Sequence, residues 1–154
     1  MIQRIQTVFL FLAVLALAAF NILPYWQVSA TEDGGGHQLM SYGFARFVNG
    51  EFTLEYGLYS IVAVISIIAG IIILIEIFNY KNRILQLKLA IANSLLMSVN
   101  MVLMTYFIIN IQEEYQGSFD LGIFIFALAM LLNILARRFI QKDEKLVRSV
   151  DRLR

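Results

Sequence analysis

Between Gly57 and Tyr80 the chain carries one charged residue, Glu76, around an isoleucine-rich centre from Ile61 to Ile75. A helix needs about 20 mostly apolar residues to cross the ~30 Å hydrocarbon layer of a bilayer, so this segment predicts a membrane span. Three more stretches meet the same test, at about 6–26, 85–109 and 119–140. Composition supports the reading: hydrophobic residues make up 60% and charged residues 15%, against soluble averages of about 45–50% and about 25%. The expected fold class is an all-α membrane protein, a four-transmembrane-helix bundle forming one domain over 1–154. The third stretch is the most polar, with Asn93, Ser94, Ser98, Asn100 and Thr105, so it is the helix expected to be surrounded by protein rather than lipid.

The first stretch has a rival reading as a secretory signal, with Arg4, an apolar run and Val28-Ser29-Ala30 as a small-residue cleavage site. The run from Val8 to Leu23 is long for a signal core, and Trp26 and Gln27 crowd the cleavage site, so a retained anchor is expected. Pro24, Tyr25 and Trp26 then read as a helix end in the aromatic interfacial belt.

Basic residues set the orientation. With both termini inside, the inner side receives 11 of the 12 Lys and Arg residues, while Arg46 lies outside with 7 of the 11 acids. Excess Lys and Arg marks the cytoplasmic side, so both termini are expected in the cytoplasm. The outer loop 27–56 contains Asn49-Gly50 between two alternating segments, the pattern of a small β-hairpin with a two-residue turn. That register puts Phe47 opposite Phe52 and Ala45 opposite Leu54, an apolar side expected to rest on the helix ends or on a partner. The tail 141–154 is densely charged, yet Leu146, Val147, Val150 and Leu153 form an apolar stripe at helical spacing. It reads as an amphipathic cytoplasmic helix, suited either to the anionic lipid surface or to a protein partner. Interleaved Asp143, Glu144 and Asp151 favour the protein.

Catalysis has no residue-level support. Cysteine is absent, which excludes disulfides, thiolate nucleophiles and cysteine-ligated metal centres. The only histidine, His37, stands among Glu32, Asp33 and glycines, too few ligands for a transition metal, and reads as a solvated loop residue. No cofactor is expected, and a net charge of +1 without a basic cluster argues against nucleic acid. Glu76 is the one acid inside an apolar span, by default a transport suspect. Its place near the inner end, close to Lys81 and Arg83, predicts instead that it snorkels to the interface or pairs with a base. Asn93 and Asn100, two turns apart on one face, read as interhelical hydrogen-bonding groups or as the polar partners of Glu76 in transport.

Met1-Ile2-Gln3-Arg4-Ile5-Gln6-Thr7, running straight into the first span, and the closing Lys142-Asp143-Glu144-Lys145-Leu146-Val147-Arg148-Ser149 with Asp151-Arg152-Leu153-Arg154 carry a resemblance across the whole chain. The sequence resembles the DUF4293 family, uncharacterised four-span inner-membrane proteins of Bacteroidota. That resemblance implies a bacterial cytoplasmic-membrane location and supplies no functional residues. Four spans with a hairpin in the first outer loop also resemble claudin-type architecture in shape, without that family's outer-loop cysteine pair.

The expected function is a non-enzymatic accessory or scaffold subunit of a larger inner-membrane complex. Its partners would be the bilayer and other integral membrane proteins, in a hetero-complex or homo-oligomer. Leu146, Val147, Val150, Leu153, Phe47 and Phe52 are the expected partner contacts. The alternative is a small oligomeric transporter or channel using Glu76 with Asn93 and Asn100.

Overall fold

A computed structural model of the chain describes residues 2–28, 35–48, 51–80 and 82–151, with side chains described over 5–28, 35–47, 51–80 and 82–146. The elements in chain order are α1 (Ile2–Phe20), β1 (Trp26–Val28), β2 (Gly36–Met40), β3 (Gly43–Val48), β4 (Glu51–Glu55), α2 (Ser60–Phe78), α3 (Arg83–Gln112), β5 (Ser118–Phe119) and α4 (Leu121–Asp151).

The helices share one packing rule. Buried positions step by four and three along each: Gln6, Leu10, Ala13, Leu17 and Phe20 on α1; Val62, Ser66, Ala69, Ile73 and Glu76 on α2. On α3 the seam is Gln86, Ala90, Asn93, Met97, Asn100 and Met104, and on α4 it is Phe126, Ala129, Asn133, Ala136 and Ile140. A seven-residue repeat of this kind keeps one stripe of each helix facing its neighbours. Around the bundle α1 packs on α2 and α4, and α3 packs on α2 and α4, so the four seams converge on a common interior. The opposite faces carry large exposed apolar side chains such as Ile67, Ile71, Val99 and Val102. That pattern suits lipid, which solvates apolar side chains at no cost.

The strands form one antiparallel sheet in the order β4-β3-β2-β1-β5 at one end of the bundle. Trp26, Leu39 and Phe44 are buried on its helix-facing side, where Phe44 meets Tyr59 and Tyr115 at 6.3 and 6.1 Å between ring centroids. Backbone hydrogen bonds fasten the sheet to the helices: Ala63 N–H donates to the Ser41 carbonyl and Gly122 N–H to the Pro24 carbonyl. Beneath the sheet, Phe20 packs on Tyr25 at 6.1 Å and on Phe126 at 4.8 Å, each such pair contributing about 0.5–1.5 kcal/mol beyond burial.

The fold class differs from the sequence expectation in three ways. The protein is not an all-α four-span bundle with a small hairpin: it combines helices with a five-stranded sheet. Three helices, Ser60–Phe78, Arg83–Gln112 and Leu121–Leu146, are long and apolar enough to cross a membrane, whereas the apolar part of the first, Ile5–Phe20, is shorter. α1 stops at Phe20 because Asn21 turns its side-chain amide onto the Leu17 carbonyl at 2.8 Å, and Pro24 lies just beyond. Trp26, expected in an interfacial belt, instead begins β1 with its ring buried. Finally, the tail is not a separate helix, since α4 runs unbroken through Asp151 with no glycine or proline between Ile123 and that end.

The hairpin register is the expected one, with Phe47 opposite Phe52, Ala45 opposite Leu54 and Val48 opposite Glu51, while the Asn49-Gly50 turn itself lies outside the described residues. Its orientation differs from expectation. The face bearing Phe44 covers the helix ends, and Phe47 and Phe52 remain 38% and 54% exposed on the other.

Candidate functional site

Polar side chains interrupt the apolar seams along the whole interior. Gln6 on α1, Ser66 and Glu76 on α2, Gln86, Asn93 and Asn100 on α3, and Asn133 on α4 are all buried. On α3 the three amides recur every seven residues, so they share one stripe pointing into the bundle.

Hydrogen bonds fix their levels. At the end away from the sheet, Gln86 donates from Nε2 to the backbone carbonyl of Glu76 at 2.6 Å. At the sheet end, Asn100 donates from Nδ2 to the Val62 carbonyl at 3.2 Å, so α2 and α3 run antiparallel in matched register. Midway, Asn133 donates to the Ser94 hydroxyl at 3.1 Å, tying α4 to α3. Asn21 joins α1, the sheet and α2, its Oδ1 accepting from Ser41 at 3.1 Å and from Ser66 at 2.9 Å.

Glu76 departs furthest from expectation. Its side chain is 0% exposed, and among the described residues neither carboxylate oxygen has a hydrogen-bond partner. It does not pair with Arg83, whose guanidinium is held by Asp143 at 3.3 Å, and Lys81 lies outside the described residues. A carboxylate so placed costs several kcal/mol unless a proton or a cation accompanies it. Gln6 belongs to the same end of the bundle: Phe9, three residues on, stacks on Phe139 of α4 at 5.4 Å, one residue before Ile140 of the α4 seam.

The structure does not gather Glu76, Asn93 and Asn100 into one site. Gln86 neighbours Glu76, whereas Asn93 and Asn100 follow one and two heptads along α3, at ~1.5 Å per residue about 10 and about 21 Å away from Gln86. Asn93 donates from Nδ2 to Met97 Sδ at 3.9 Å, within its own helix. The functional candidates missed in the sequence are Gln6, Gln86, Asn133 and Asn21. A seven-residue spacing from Asn93 back to Gln86 was the available signal.

Of the expected partner contacts, Phe47 and Phe52 pack as tilted rings, centroids 5.0 Å apart, on the exposed sheet face, and Leu146 is half-exposed. The side chains of Val147 and Val150, and all of Leu153, lie outside the described residues. His37 is not a loop residue. It pairs with Arg46 across β2 and β3, and its ring lies 4.4 Å from Tyr115 and 5.6 Å from Phe44. Burial and the Arg46 charge lower its pKa below the usual histidine value, partly opposed by Glu114. Among the described residues, no three His, Asp or Glu side chains group as metal ligands would.

The chain matches the family described as Domain of unknown function (DUF4293) over residues 2–153. It belongs to that family. The match spans the sheet, all four helices and the polar seam, so the family's sequence pattern encloses the whole candidate site. No curated protein matches the chain.

Proposed function

We propose that this chain is a small ion-handling membrane protein, of the transporter or channel class and working as an oligomer, with Glu76 as its working group. The observation that carries this reading is the burial of Glu76 without a partner among the described residues, while the nearby base Arg83 is engaged by Asp143. An ionisable group kept inside a membrane bundle at such cost is the usual mark of ion or proton passage. Asn93, Asn100 and Asn133 extend a polar seam from Glu76 towards the sheet. We place the end bearing Arg83, Arg137, Arg138 and Lys142 at the cytoplasmic face of a bacterial inner membrane and the sheet outside, from the basic-residue bias.

Reconstitution into liposomes tests this reading. An imposed proton or sodium gradient should collapse faster with the wild-type protein than with Glu76→Gln inserted to the same level. Equal rates for both, at the rate of empty liposomes, would overturn it.

A second reading, an accessory subunit of a larger membrane assembly, is supported by the exposed Phe47–Phe52 pair and by the continuous, charged end of α4. Under it, gentle extraction would yield a stoichiometric hetero-complex, and truncation after Gln141 would lose a partner. A small homo-oligomer carrying the flux favours the first reading.

A further inference from the structure

At the end of the bundle away from the sheet, the buried polar atoms left without partners are oxygens of one kind. Among the described residues, and apart from Asp143 Oδ2, which is ion-paired with Arg83, they are both carboxylate oxygens of Glu76, the amide oxygen Oε1 of Gln86 and the amide oxygen Oε1 of Gln6. Higher in the seam, Oδ1 of Asn93, Asn100 and Asn133 is unpartnered as well. Among the described residues, the unpartnered buried nitrogens are Nε1 of Trp26, Nδ1 of His37 and Nε of Arg46, all in the sheet layer. Apart from the Tyr25 hydroxyl at the sheet end, the described bundle interior is thus short of donors and not of acceptors.

The side-chain amide of Gln86 cannot relieve the shortage by flipping. Its NH2 group is committed to the Glu76 carbonyl at 2.6 Å, and an oxygen turned there would face another acceptor. A proton on Glu76 would convert one carboxyl oxygen into a donor and satisfy one further acceptor. That leaves the second carboxyl oxygen and one amide oxygen unsatisfied. A cation held between these side chains would accept electron pairs from several of these oxygens together.

Charge then limits the choice of ion. Glu76 supplies the single negative charge, so a monovalent ion leaves the interior neutral and a divalent one leaves an excess positive charge there. Carboxylate and amide oxygens are hard ligands and suit hard cations rather than transition metals. We propose that Glu76, Gln86 and Gln6 bind a small dehydrated monovalent cation, with sodium as the defining probe. The inference rests on the ion-handling reading above and names its ligand.

The test uses the full chain in detergent, melted in sodium chloride or in choline chloride at equal ionic strength, with retention of radioactive sodium measured in parallel. Wild-type protein should bind sodium saturably and melt higher in sodium than in choline, because a ligand that binds only the folded state raises its stability by mass action. Glu76→Gln should lose both responses. Gln6→Leu, which leaves the contact of Gln86 with the Glu76 carbonyl in place, should weaken binding about tenfold, the effect of ~1.4 kcal/mol. Identical wild-type melting in the two salts with no sodium retained would overturn the inference, as would an undiminished sodium response in both variants. Proton flux without sodium binding would defeat the sodium site and leave the ion-handling reading standing. Failure of both flux and binding would defeat both.

Discussion

Arg83 closes a 3.3 Å ion pair with Asp143 across α3 and α4, although Glu76 is far nearer to it in sequence. Both partners are partly accessible, at 24% and 15% of their side chains, so solvent screens the pair. Its contribution is placed at about 0.5–1 kcal/mol. Asp143→Asn should therefore lower the melting temperature by only a few degrees and leave Glu76-dependent flux unchanged. A matching loss of flux would show that Arg83 and Glu76 act as one unit.

Replacing Glu76 gives a sign that a structural salt bridge would not. A buried carboxylate without a partner opposes folding, so Glu76→Leu should raise stability in sodium-free choline buffer by at least ~1 kcal/mol. Flux should disappear in the same variant, a gain of stability at the expense of function. Thermal melting monitored by the single tryptophan, Trp26, measures the first part. If the leucine variant melted well below wild type, Glu76 would have a stabilising partner in the fold.

The helical segments were readable from hydropathy because long apolar runs have few alternatives, and the hairpin because Asn-Gly turns impose a register. The rest of the sheet was not. β1, β2 and β5 are short, at 3, 5 and 2 residues, and they pair across the long outer loop and with the segment after α3. Too few residues alternate in any one of them to signal a strand. The end of α1 was misplaced because Leu23, Tyr25 and Trp26 extend the apolar run past Phe20, while the amide of Asn21 that terminates the helix acts through one hydrogen bond. Glu76 was legible as a suspect and misjudged in its setting. Sequence proximity suggested Arg83 as a partner, but Glu76 lies on the buried seam of α2 while Arg83, at the start of α3, pairs with Asp143 of α4.

The close fit of α4 against the chain leaving α1 makes Gly122 sensitive. A Cβ there would stand 2.5 Å from the Pro24 carbonyl oxygen and 2.8 Å from its carbon, both backbone atoms with little room to move. Gly122→Ala should cost about 1–3 kcal/mol, the usual range for overpacking. Gly57→Ala is the matched control, since nothing lies within 4 Å of its Cβ position, and should change stability by no more than ~0.5 kcal/mol. Comparable losses in both variants would place the cost in backbone freedom rather than in the contact with Pro24.

Cysteine labelling tests the sidedness proposed from charge. The chain has no cysteine, so single replacements report without background. A cysteine at Gln116, beside β5, should react with an impermeant maleimide added to intact spheroplasts, and one at Ser149 should react only after lysis. The reverse pattern would put the sheet in the cytoplasm.

His37 makes the sheet sensitive to acid. Burial and Arg46 hold its pKa below the usual 6.5, with Glu114 in partial opposition, so the folded protein favours the neutral ring. Protonation consequently weighs against the folded sheet. The stability that His37 contributes is complete above pH ~6.5 and is lost as the pH falls below that value through its lower folded pKa. The affected contacts are its ring packing on Tyr115 and Phe44, next to Arg46 on the neighbouring strand. Trp26 is buried in β1, which pairs directly with β2, and reports the change through its fluorescence. Titration from about pH 7.5 to about pH 5 should shift the wild-type emission towards that of exposed tryptophan, and His37→Phe should flatten the response while keeping the aromatic packing. If the phenylalanine variant followed the wild-type curve, the acid sensitivity would not belong to His37.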